Sequence, residues 1–202
     1  MKKITVLFSL LLLAAGASAQ KMNVVEGDFK FLKDAKAINV VFRYDDMKLF
    51  NENKTEQQYI KERSEDLNAK NPGTGDTWVR KWEGAKESIW EPNFMDLMAK
   101  TVTAKKGTVF GLGKKDAPYT LTVEAVWIYP GWDAGVMKQP AKVTTLLTFT
   151  ETGNPSKVLL KIKSENAPGN QWGSNFSNES RIGEGFEKTA KTLGTRIIKE
   201  AY

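Results

Sequence analysis

The chain has 202 residues and contains neither histidine nor cysteine. Imidazole-based triads, thiol nucleophiles and zinc sites built from His or Cys are therefore excluded. Any catalysis would fall to carboxylates, lysine, tyrosine, serine or threonine. Two acid pairs stand out, Asp45-Asp46 and Glu65-Asp66. The first closes an extended run, where it could bind a hard cation or act as acid and base. Turns select aspartate in any case, so the pair reads as a solvated turn, and Glu65-Asp66 as exposed helix surface. The glycines of Gly107-Thr-Val-Phe-Gly-Leu-Gly113 match neither a dinucleotide fingerprint nor a Walker loop, and open no helix that could cradle a phosphate. No catalytic residue, metal ligand or cofactor is assigned.

Six tryptophans are the unusual feature of the composition. Trp78, Trp82 and Trp127 fall on apolar faces and read as core. Trp132 and Trp172 sit in polar, glycine-rich segments. There they either fold back to plug the end of the core or bind a glycan ring or a protein partner. With Tyr129, at the end of a strand, they are the candidate ligand-binding residues. In a meander of three strands, the 130–140 loop and the segment carrying Trp172 leave from the same end of the sheet, which would bring both tryptophans onto one surface.

These side chains must be positioned by recognisable elements. Ile38 to Tyr44 alternates apolar and polar residues with the period of two of a strand, and Val24 to Leu32 is ambiguous. Thr55 is placed to cap a helix from Glu56 to Ala69, with Tyr59, Ile60, Arg63 and Leu67 near one face. Residues 71–76 read as a loop. Trp78, Trp82, Ala85 and Ile89 make one helical stripe, ended by Pro92, and Phe94, Leu97, Met98 and Val102 make another, ended by Gly107. A short strand follows at Thr108 to Leu112. Tyr119 to Tyr129, Val143 to Thr150 and Val158 to Lys163 form the meander, with Tyr119, Leu121, Val123, Ala125, Trp127 and Tyr129 on one face. Residues 166–175 read as a loop. A helix from Glu179 to Glu200 closes the chain on a stripe of Phe186, Ala190, Leu193 and Ile197. Its Gly194 marks either a close approach to the sheet or a tolerated surface glycine. The expected fold is α+β, a two-layer sandwich with a mainly antiparallel sheet of about four to five strands and helices packed on one face.

Residues 1–19 have the form of a secretory signal peptide: Lys2-Lys3, an apolar run from Ile4 to Leu13, and Ala17-Ser18-Ala19 as cleavage site. The run falls short of the roughly 20 residues of a membrane span, so cleavage is favoured over a retained anchor, and no membrane span is expected afterwards. Residues 20–202 then form a single domain, periplasmic or secreted. The 30 basic and 24 acidic residues give a net charge of +6, which loss of Lys2 and Lys3 lowers by two. The charges are interspersed, as in Lys61-Glu62-Arg63, which argues against nucleic acid as a partner.

Tyr119-Thr-Leu-Thr-Val-Glu-Ala-Val-Trp-Ile-Tyr-Pro-Gly131, Pro140-Ala-Lys-Val-Thr, the closing helix and the Ala-Ser-Ala-Gln junction together resemble exported Bacteroidetes proteins of unknown function. The element order is also similar to the small α/β domain of the TolB amino-terminal region and of periplasmic activators of penicillin-binding proteins. The chain departs from those activators in lacking a lipidated cysteine. The resemblance carries no catalytic motif. It implies an exported, non-catalytic binding or interaction module of the cell envelope, with an unknown protein or envelope glycan as partner. The alternative is a cofactor-free hydrolase using carboxylates.

Overall fold

The computed structural model describes residues 20–134, 137–169 and 177–202. The expected signal peptide and Trp172 lie outside the described residues. The ambiguous start resolves into a strand, β1 (Lys21–Gly27), and a 3-10 turn at Lys30–Asp34 that seats Phe29 and Leu32 in the core. β2 (Ala37–Arg43) follows, then a turn at Asp45-Asp46 and the short β3 (Lys48–Leu49) and β4 (Lys54–Thr55).

Thr55 caps α1 (Glu56–Lys70) as its position suggested. Its hydroxyl accepts the Gln58 amide at 3.2 Å, and the Gln58 side chain accepts the Thr55 amide at 2.9 Å. This reciprocal box satisfies two otherwise orphaned donors, and a cap of this kind contributes about 1 kcal/mol. The next helix starts three residues earlier than expected, at Thr74, behind Gly73 in the left-handed conformation. It also does not stop at Pro92. α2 (Thr74–Ala85), a π turn at Lys86–Trp90, α3 (Glu91–Met98), a second π turn at Ala99–Thr103 and α4 (Ala104–Lys106) run on without a break. In the wider turn the Glu91 amide bonds back to the Lys86 carbonyl, five residues earlier, and Pro92 follows directly as the second residue of α3.

The remaining strands are β5 (Val109–Leu112), β6 (Tyr119–Tyr129), β7 (Trp132–Asp133), β8 (Lys138–Gln139), β9 (Ala141–Glu151) and β10 (Asn154–Gly169), and the chain ends in α5 (Asn178–Glu200). The main sheet is larger than the four to five strands expected. It has eight strands, in the order β1-β10-β9-β6-β2-β5 with β3 and β4 attached beside β6. It is also mixed rather than mainly antiparallel, because β2 runs parallel to both β5 and β6. Alternation reports which face a residue occupies but not strand direction. The helical connection from β2 to β5 supplies the long crossover that parallel pairing needs.

Leu121, Val123 and Ala125 of β6 are buried toward the helices, where α5 packs on β9, β10 and α3, while Thr120, Thr122 and Glu124 stay half-buried opposite. A bulge between Ala125 and Trp127 then shifts the register. Ile128 takes the buried side, and Trp127 and Tyr129 pass to the other face, which corrects their expected grouping with Leu121. Gly194 faces helix rather than sheet: a Cβ there would lie 2.2 Å from the Thr101 hydroxyl of the second π turn.

Candidate functional site

Tyr129 pairs with Lys142 at the junction of β6 and β9, and Gly169 pairs with Ala141 where β10 ends. The 130–140 connection and the approach to α5 therefore leave the sheet at one end. Two glycines make this end compact. Gly131 has φ of 72°, and a Cβ on it would meet the Gln139 carbonyl at 2.6 Å, so the chain folds tightly into the β7–β8 hairpin. A Cβ on Gly169 would stand 1.8 Å from the Arg181 carbonyl, so β10 ends against the first turn of α5.

Around this end four segments converge on a cleft of about 380 Å3. α1 contributes Tyr59 and Arg63, which share a helix face at a spacing of four residues. α5 contributes Asn178 and Arg181 from its first turn, at a spacing of three. Phe50 and the hairpin residues Trp132 and Asp133 complete the wall.

Trp132 is 41% exposed but not loose. Its indole nitrogen donates to Gln139 Oε1 at 3.1 Å, and the Tyr129 hydroxyl donates to the same oxygen at 2.9 Å. Tyr129 also stacks on Trp127 at 6.4 Å and meets the edge of Phe50 at 5.6 Å. Trp127 in turn donates to the Phe50 carbonyl at 2.7 Å. Tyr129 is thus a support for the cleft wall through Phe50 and Gln139, and Trp132 itself lines the cleft. The described residues do not include Trp172.

Arg181 is 6% exposed, donates through Nη2 to Asn178 Oδ1 and reaches the Pro130 carbonyl at 3.5 Å, which ties α5 to the hairpin. Arg63 reaches Asp66 at 3.4 Å, while its Nε is shielded from water and has no acceptor among the described residues. Burial raises the Tyr59 phenol above the ordinary tyrosine range, against smaller opposing contributions from its Asn178 hydrogen bond and the two arginines. The cleft thus combines an aromatic platform with guanidinium, amide and carboxylate groups. These planar groups can hydrogen-bond neighbouring hydroxyls while the indole covers an apolar ring face.

A second concavity, of about 450 Å3, lies where β2 ends. Asp45 lines it, paired with Arg43 at 3.1 Å, and so does Glu56, which accepts Lys86 and the Trp82 indole at 2.8 Å each. Asp46 is exposed, and Glu124 is half-buried beside Arg43 in the β2–β6 register. The described residues contain no group of three or more acids placed to hold a metal ion, and no helix among them is long and apolar enough to cross a membrane.

Residue types alone pointed to Trp132, but not to Phe50, Tyr59, Arg63, Asn178 and Arg181. The spacing in α1 did place Tyr59 and Arg63 on one face. What was missing is the approach of that face to the sheet end, which is a tertiary fact.

With the class of the protein settled as an α+β domain of one mixed sheet under a helical layer, comparison with known proteins adds little more. No family model and no curated protein matches the chain. Among solved structures it is similar to the PelC dodecamer from Paraburkholderia phytofirmans, at 12% identity over 91% of this chain and 99% of that chain, with a TM-score of 0.39. A substituted form of the same PelC gives 10% identity, 86% and 97% coverage, and a TM-score of 0.38. A likeness this distant carries no conclusion about this chain.

Proposed function

We propose that the chain is an exported, non-catalytic binding module of the cell envelope, and that the cleft between α1, the β7–β8 hairpin and α5 holds a carbohydrate or envelope polymer. The observation that carries this reading is Trp132, exposed yet fixed by Gln139, with Arg63, Asp133 and Asn178 beside it in one concavity. Binding sites are commonly concave, with a few placed polar groups that set orientation. The carboxylates at Asp45 and Glu56 are engaged by cations, an arrangement that supports a structural use over acid–base chemistry. The test is titration of residues 20–202 with neutral and acidic oligosaccharides and soluble peptidoglycan fragments, followed by tryptophan fluorescence and calorimetry. Saturable binding is expected, and Trp132→Ala should weaken it at least tenfold while leaving the melting temperature nearly unchanged. Binding unaffected by Trp132→Ala, or no binding to any glycan, would overturn the reading.

A further inference from the structure

The two concavities are neighbours along α1. Thr55 and Glu56 border the cleft at the end of β2, and Tyr59 and Arg63 border the cleft under the hairpin. Thr55, Tyr59 and Arg63 recur every four residues, so they form one stripe on one side of the helix, about 12 Å long at 1.5 Å per residue. The opposite wall is also shared. Lys48 lies in the cleft at the end of β2 and Phe50, two residues on, in the cleft under the hairpin. Phe50 and Tyr59 meet in the hairpin cleft, with ring centroids 5.3 Å apart.

The chemistry of the two clefts differs in a complementary way. The hairpin cleft offers an indole platform. The other is lined mainly by hydrogen-bonding and charged groups, including Arg43, Gln57 and Lys48. Lys48 is half-buried and makes no ion pair among the described residues, so its ammonium is available to a ligand.

We propose that the two clefts form one groove, walled by α1, that takes several consecutive units of a hydroxyl-rich polymer chain. One unit lies on Trp132, and a unit further along the chain, beyond the reach of a dimer seated there, is hydrogen-bonded at Lys48 and Gln57. This rests on the glycan-binding reading and extends it from a single ring to a chain bound along its length. Adjacent subsites on one rigid scaffold make the second contact intramolecular, so affinity grows with chain length until the groove is filled.

Two ladders test it by calorimetry on residues 20–202: N-acetylglucosamine and its β-1,4-linked oligomers up to the hexamer, and the corresponding oligogalacturonates. In at least one ladder, affinity should rise tenfold or more from dimer to hexamer. Lys48→Ser and Gln57→Ala should each remove most of that rise and leave the dimer unchanged, whereas Trp132→Ala should weaken every length. Melting curves matched to the parent chain show that these surface variants fold. Equal affinity for dimer and hexamer, or a hexamer indifferent to both Lys48→Ser and Gln57→Ala, overturns the groove and leaves the single-cleft reading standing. No binding to either ladder overturns the groove, and no binding to the peptidoglycan fragments as well overturns both readings.

Discussion

Two glycines in helices provide a matched test of how closely the helical layer is fitted to the sheet. Gly84 in α2 is exposed, and a Cβ there would have nothing within 4 Å. Gly185 in α5 is buried, and a Cβ there would lie 2.5 Å from Val143 Cγ2, 3.0 Å from Val143 Cβ and 3.1 Å from the Ala167 carbonyl. Replacing glycine by alanine inside a helix stabilises by about 1 kcal/mol in either place. At Gly185 that gain is opposed by overpacking of about 1–3 kcal/mol. The upper half of that range applies, because a strand side chain and a backbone oxygen both stand in the way. Gly84→Ala should therefore raise stability by about 1 kcal/mol, and Gly185→Ala should lower it by ~1–2 kcal/mol. For a domain of this size each kcal/mol moves the melting temperature by roughly 2–4 °C. Urea unfolding followed by tryptophan fluorescence measures both, and the slopes should match the parent. A Gly185→Ala protein stabilised as much as Gly84→Ala would refute the close packing of α5 on β9 and β10.

Three further outcomes are expected. Glu56→Ala removes the acceptor of the wholly buried Trp82 indole and of Lys86, both at 2.8 Å. An unpaired buried donor costs about 1–3 kcal/mol, so urea unfolding should show a loss of that size, with Glu56→Gln losing less because it keeps an acceptor. Burial raises the phenols of Tyr44 and Tyr59 above the ordinary value of 10.0, for Tyr44 with further help from Glu91. Above that pH the unfolded chain has released protons that the folded chain still holds. Stability should therefore fall as pH rises past about 10, and less steeply in Tyr44→Phe, as unfolding curves across that range will show. Cleavage after Ala19 should leave Gln20 as the first residue of protein recovered from the host's envelope or medium; an intact mass retaining Met1 would contradict export.

The periodic segments were legible in the sequence because their signals are local. The Thr55 cap, the strand at Ile38, the stripe at Phe186 and the stop at Gly107 each depend on residues a few positions apart. The misses share one cause. The bulge that turns Trp127 over, the parallel pairing of β2 with β6, and the helix that continues through Pro92 all depend on partners distant in the chain or on backbone adjustments that side-chain type does not encode. The cleft is an extreme case. Residues from four separate segments meet there, and only Trp132 is of a type and setting that drew notice alone.

The pairing of β1 with β10 has a kinetic meaning. β1 lies against β10, with Gln20 bonded to Ser164 across 144 positions and to Thr192 across 172. A ribosome delivers β1 early, yet nothing exists for it to pair with until β10 has been made and folded against β9. Loop-closure entropy makes such long-range pairings slow. The first strand synthesised is thus among the last to be seated. For that interval the open edge of β10 and Met22, which the folded chain half-buries, face solvent together, so this stage of folding is where a holding chaperone would matter most to this protein.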